Sequence, residues 1–175
     1  MNSDPPRSEG PRREEVPARD APPRVGATWL VAHDFTAAAD AAMMIAASDA
    51  SRLGVRLVLF HAYRLPPVAG GLEALANARG LASWNRISEK VAARASEEIG
   101  AVAERLARRL PELDVTTRVA EGNPVSAVLA AAEDEVASRI VVGYSPTAGL
   151  RRRIKGSVSE QIVKQAPIPV LLVKS

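Results

Sequence analysis

The chain has 175 residues, of which 47% are apolar and only 3% aromatic, and its formal charge is +3. That length suits one domain with an appendage, and Ala, Val, Leu and Ile must fill its core. The absence of cysteine excludes disulfides, thiolate metal sites and a cysteine nucleophile, and the mild charge argues against a nucleic-acid-binding basic stripe.

Residues 1–24 hold six of the 13 prolines, and their five arginines balance five acidic residues. Such a segment buries too little apolar surface to offset its ordering entropy, so a disordered tail is expected ahead of a domain spanning 25–175. Neither an apolar leader nor a run of about 18 apolar residues is found, so a secretory signal and a membrane span are not expected. A cytoplasmic location is the expectation.

From Val25 strands and helices alternate. The run TWLVAHD at 28–34 reads as a buried strand. Thr36 then caps a helix whose apolar positions are Ala38, Ala41, Ala42, Ile45 and Ala46, and Gly54 ends it. A second strand covers 55–63, and a connection rich in Pro, Gly and Ala follows. The longest helix is predicted over 83–110, with one apolar stripe running Trp84, Ile87, Val91, Ala95, Ile99, Val102, Leu106 and Leu110. A third strand is read at 113–120. Asn123 and Pro124 then open a helix with Val125, Val128, Leu129, Ala132 and Val136 on its apolar face. A strand at 138–143, a helix at 157–166 and a strand at 167–174 complete the pattern. Strict alternation of this kind calls for a parallel sheet with helices on both faces, and its ligands sit beyond the carboxyl ends of the strands. Three segments end there: Ala32-His33-Asp34, Phe60 to Tyr63, and Gly143 onward.

The segment VVGYSPTAGLRRRIKGSVSE, 141–160, admits two readings. In one, the start of the last helix offers unpaired amides and a partial positive charge to a phosphate, with Gly143 and Gly156 permitting close approach and Arg151, Arg152, Arg153 and Lys155 adding positive potential. In the other, Ser157 and Glu160 form a capping box and do no more than begin a helix.

With SVSEQIVKQAPIPVLLVK after it, and with WLVAHDFTAAADAA and VAEGNPVSAVLAAAEDEVASRIVVG upstream, this segment resembles the universal stress protein family over about 25–174. The resemblance implies an open five-stranded parallel sheet of order 3-2-1-4-5, adenine-nucleotide alpha-hydrolase-like, and a homodimer joined partly through the last strand, at Val170, Leu171, Leu172 and Val173. It also implies ATP or AMP held at Asp34, Gly143, Gly156, Ser157 and Val158, with Mg accompanying ATP. One branch of the family has a loop of the form Gly, two residues, Gly, nine residues, Gly, then Ser or Thr. Pro146 stands where the middle glycine belongs, and losing that amide costs about 1.5–3 kcal/mol of binding if nothing replaces it.

Other chemistry is weaker. His33 and His61 end neighbouring strands and, with Asp34, offer metal-ligand types. The preferred reading is that each histidine packs at a strand end with one hydrogen bond. No Gly-x-Ser-x-Gly elbow and no Walker-type loop occurs, and no base is evident, so at most slow ATP hydrolysis is expected. Met43 and Met44 are adjacent, so at most one faces the core; Trp84 either covers the ligand pocket or, in the preferred reading, anchors its helix on the sheet. The expected function is stress-response regulation through bound nucleotide and a signalling partner of unknown kind. The alternative is a dimeric interaction module of the same fold that holds no nucleotide.

Overall fold

The apolar runs of the sequence become the strands of one parallel sheet. The computed structural model describes residues 26–67, 78–145 and 157–175, so the expected tail at 1–24 lies outside the described residues. Five strands, β1 (Thr28–Ala32), β2 (Arg56–Tyr63), β3 (Val115–Glu121), β4 (Ala137–Tyr144) and β5 (Val170–Lys174), alternate with helices α1 (Ala37–Leu53), α2 (Ala78–Arg109), α3 (Pro124–Asp134) and α4 (Val158–Gln165). The strand order is β3-β2-β1-β4-β5, and every pairing is parallel. The order reverses between β1 and β4, which creates a crevice at their carboxyl ends.

Successive strand residues point to opposite faces, and both faces are covered. Trp29, Val31, Leu57, Leu59 and Val141 pack under α1 and α2, against Ala42, Ala46, Ile99, Val102 and Leu106. Leu30, Val58, Phe60, Ile140 and Val142 pack under α3 and α4, against Val125, Val128 and Ile162. The buried face of α1 is almost all alanine: Ala38, Ala39, Ala42, Ala46, Ala47 and Ala50, with Met43. Small side chains let that helix lie close to the sheet. At Gly143 the approach is so close that a Cβ would sit 2.3 Å from the carbonyl oxygen of Ala38.

The expected caps are present. Thr36 accepts from the Ala39 amide, and Gly54 closes α1 in the left-handed conformation with φ 63°. Asn123 accepts from the Val125 amide ahead of Pro124. Asp134 and Glu135, at the unfavourable negative end of α3, are met by Arg118 and Arg56 from the adjoining strands. Among the described residues no helix is long and apolar enough to cross a membrane.

Several expectations are corrected. Ile45 is 46% exposed, because α1 seats its alanine stripe and turns Ile45 outward. Val136 does not belong to the apolar face of α3. It follows the cap residue Glu135 with φ 48° and is 83% exposed. The last strand begins at Val170 rather than at 167: its register with β4 starts at the pair Ile140–Val170, and Pro167 and Pro169 ahead of it have no amide to donate. The long helix spans Ala78–Arg109, so residues 78–82, expected in the connection, are helical.

That early start has a consequence for shape. With 32 residues α2 is about 48 Å long, far more than the sheet needs. Its buried contacts run from Ala95 to Leu106. No described residue of α2 ahead of Ala95 is buried. Leu81 and Ile87 are 48% and 40% exposed there, and Trp84 packs against neither core cluster, contrary to an anchoring role on the sheet.

Candidate functional site

The carboxyl ends of β1, β2 and β4 and the start of α4 meet at the reversal of strand order. His33 continues the line of β1, its amide donating to the Phe60 carbonyl at 2.8 Å. It is 3% exposed. The Asp34 carboxylate closes a tight turn, with Oδ1 accepting from the Thr36 amide at 3.2 Å and from the Thr36 hydroxyl at 2.6 Å. Asp34 is exposed, and its second oxygen takes no part in the turn. Phe35, between them, adopts φ 60°, a left-handed conformation that an aromatic residue rarely takes. Its ring lies 4.5 Å from the His61 ring and 5.3 Å from that of His33.

Both nitrogens of His33 are in use. Nδ1 is 3.2 Å from the Phe35 amide, and Nε2 is 3.1 Å from Asp40 Oδ1. The amide can only donate, so Nδ1 carries the lone pair and Nε2 carries the hydrogen. Burial holds the His33 pKa below its ordinary value, opposed by Asp40 and Asp34. His61 points Nδ1 at the His33 carbonyl, 2.8 Å away. The expectation of one hydrogen bond per strand-end histidine therefore understates His33, which makes two with its side chain. His33 has no free lone pair for a metal, whereas His61, donating from Nδ1, keeps one on Nε2; among the described residues no cluster of three His, Cys, Asp or Glu is placed to hold a metal ion.

Across the crevice, α4 opens on the capping box read from the sequence. Ser157 Oγ accepts from the Glu160 amide at 3.1 Å, and the Glu160 carboxylate accepts from the Ser157 amide at 3.3 Å. The Ser159 hydroxyl donates to the Gly143 carbonyl at 2.7 Å, tying the helix start to the end of β4. A capping box uses two of the four amides at a helix start. The amides of Val158 and Ser159 are the two it leaves over. Asp34, Gly143, Ser157 and Val158 are thus brought to one edge of the sheet, on adjacent strands or directly above them. Gly156, Pro146 and the basic run Arg151 to Lys155 lie outside the described residues.

Sequence reasoning missed the His33–Asp40 pair and the left-handed Phe35. A histidine at a strand end, seven residues before an acid in the first turn of a helix, was the available signal for the first. The second leaves no mark in residue type.

The family model for the universal stress protein family matches residues 28–174. The chain belongs to the universal stress protein family. A universal stress protein of Thermus aquaticus is 33% identical over 147 residues, which are 84% of this chain and 98% of that one. Among solved structures, UspA from Lactobacillus plantarum superposes with a TM-score of 0.64 at 20% identity, covering 84% of this chain and 97% of that one. A universal stress protein in complex with cAMP superposes with a TM-score of 0.58 at 18% identity, covering 86% and 98%. At these identities the structural likeness is one of fold, and the family's five-stranded sheet, order 3-2-1-4-5, is the sheet found here.

Proposed function

We propose that this universal stress protein acts in stress response by binding an adenine nucleotide, ATP or AMP, across the β1/β4 crevice. In this reading Asp34 faces the adenosine, while Gly143, Gly156, Ser157 and Val158 surround the phosphate. The observation that carries it is the pair of amides, Val158 and Ser159, which the capping box of α4 leaves unused beside the end of β4. Two amides suit one phosphate group, and cAMP, the ligand of a structural neighbour, is an adenine nucleotide with a single phosphate. Mg would enter with ATP, through the phosphates. No group in the described site stands out as a base for hydrolysis, so binding rather than turnover is the working step, in the cytoplasm.

The test is calorimetric titration of the full chain with ATP and AMP, together with thermal melts. A ligand that binds only the folded state must raise the melting temperature as its concentration rises. Heat of binding and a rising melt are expected. Neither heat nor shift at millimolar nucleotide overturns the reading.

A second reading, a dimeric interaction module without nucleotide, draws on one specific observation. β5 is an edge strand, and Leu172 on it is 41% exposed. An edge of this kind pairs readily with a second strand. A homodimer through Val170 to Val173 serves either reading, and a signalling partner would then meet the dimer. Sedimentation of the wild type as a dimer and of Leu172→Lys as a monomer supports the interface. A wild-type monomer at high concentration removes it.

A further inference from the structure

The turn that carries Asp34 is held by a group whose hydrogen bonds admit only one protonation state. His33 Nδ1 accepts from the Phe35 amide, and Nε2 donates to Asp40. Both bonds together require a neutral imidazole. A second proton can go only to Nδ1, where it would turn the acceptor into a donor facing the N–H of Phe35.

Phe35 is poorly placed to resist. An L-residue in the left-handed region is strained, and Phe35 sits there at φ 60°. What keeps it there is the bond to His33 Nδ1 and the packing of its ring on His33 and His61. Once that bond is lost, Phe35 is free to relax toward negative φ. The peptide joining it to Thr36 must then turn. Thr36 supplies both bonds to Asp34 and also caps α1, so all three residues move as one unit.

We infer that His33 is a proton-sensitive positioning residue: its neutral ring clamps the 34–36 turn in the shape that presents Asp34, and its protonation releases the turn and weakens nucleotide binding. The last clause rests on the nucleotide reading above, whereas the clamp itself does not.

Three ionisable groups act on the ring: Asp40 from α1, Asp34 from the turn and His61 from β2. Asp40 and Asp34 favour the charged ring and His61 opposes it, but burial is the largest influence and keeps the ring neutral. Asp40 is itself 56% exposed, so water screens its attraction. Arg105 and Arg109 of α2 line the same cleft as Asp40. A proton added to His61 would go to Nε2 and leave its bond to the His33 carbonyl intact, so His61 is not the trigger.

The sign follows. The clamped turn binds one proton fewer than the released turn, and burial moves uptake of that proton to a pH below the ordinary 6.5. Affinity is therefore level above the pH at which His33 takes up its proton. It falls as the pH drops below, with a slope approaching tenfold per pH unit as one proton is taken up.

The experiment has two independent readouts on the full chain between pH 8 and pH 5. NMR without nucleotide follows the His33 ring and the Phe35 and Thr36 amides. All three are expected to move together, with one midpoint below 6.5. A Phe35 amide that stays fixed while His33 titrates, or a His33 midpoint above 6.5, overturns the clamp. Calorimetry with AMP compares wild type with His33→Asn, whose amide oxygen can accept from Phe35 but does not titrate. Since the phosphate of AMP ionises in the same range, the quantity read is the difference in pH slope, expected to approach tenfold per unit in favour of wild type. Equal slopes overturn the link to binding. If AMP fails to bind at any pH while the amides still follow His33, the nucleotide reading falls and the clamp stands.

Discussion

Gly143 shows how one residue can answer to two demands. Spacing in the sequence ties it to phosphate approach, yet in the fold its missing side chain is what lets the first turn of α1 rest on the end of β4. Gly143→Ala would drive a Cβ to 2.3 Å from the Ala38 carbonyl oxygen, a backbone atom that cannot swing aside. Overpacking of this kind costs about 1–3 kcal/mol. The variant is therefore expected to unfold at lower denaturant than wild type even with no nucleotide present, which chemical denaturation measures directly. Val136 offers the opposite case. It occupies the position after a helix cap where glycine is usual, with φ 48° and 83% of its surface exposed. An L-residue there is strained by about 1–2 kcal/mol, part of which glycine returns to the unfolded chain as entropy. Val136→Gly is expected to stabilise by about 1 kcal/mol, read as a higher denaturation midpoint with an unchanged slope.

At the scale of elements, the start of α4 is where capping and ligand binding can be separated. Ser157 is engaged in the capping box whether or not a phosphate arrives. Replacing it by alanine would confuse the two roles, since loss of an N-cap costs about 1 kcal/mol by itself. Aspartate caps as well as serine does, but it brings a negative charge to the amides of Val158 and Ser159. Ser157→Asp is expected to keep its melting temperature within a degree or two and to lose nucleotide affinity tenfold or more. Retained affinity in calorimetry would move the phosphate away from α4. The other telling element is α2. Its amphipathic stripe is continuous in sequence from Trp84 to Leu110, but its buried residues begin only at Ala95. Periodicity defines a face, and the length of the neighbouring strands decides how much of it is covered.

For the whole molecule, pH dependence follows from His33. Its pKa in the fold is lowered by burial, so between that value and 6.5 the unfolded chain binds more protons than the native one. The contribution of His33 to stability is complete above 6.5 and is lost as the pH falls toward the lowered value. Melting temperature is expected to decline on going from pH 7.5 to pH 5, and His33→Asn should flatten that decline. An unchanged slope in the variant would assign the decline to other groups.

Strand and helix types, the caps at Thr36, Gly54, Asn123 and Ser157, and the family were legible in the residues themselves. They rest on local rules: alternation of apolar residues, helical spacing, and side chains that bond amides two or three residues on. The positions that reached one edge could also be named, because a parallel sheet with a reversal of order sends its strand ends to one crevice. Tertiary structure alone decided the rest. It turned Ile45 outward, left the first turns of α2 without a buried residue, pressed α1 onto Gly143, and paired His33 with Asp40. Those outcomes depend on how closely two elements approach and at what register, and such distances are set by packing across the chain rather than by any short run of residues.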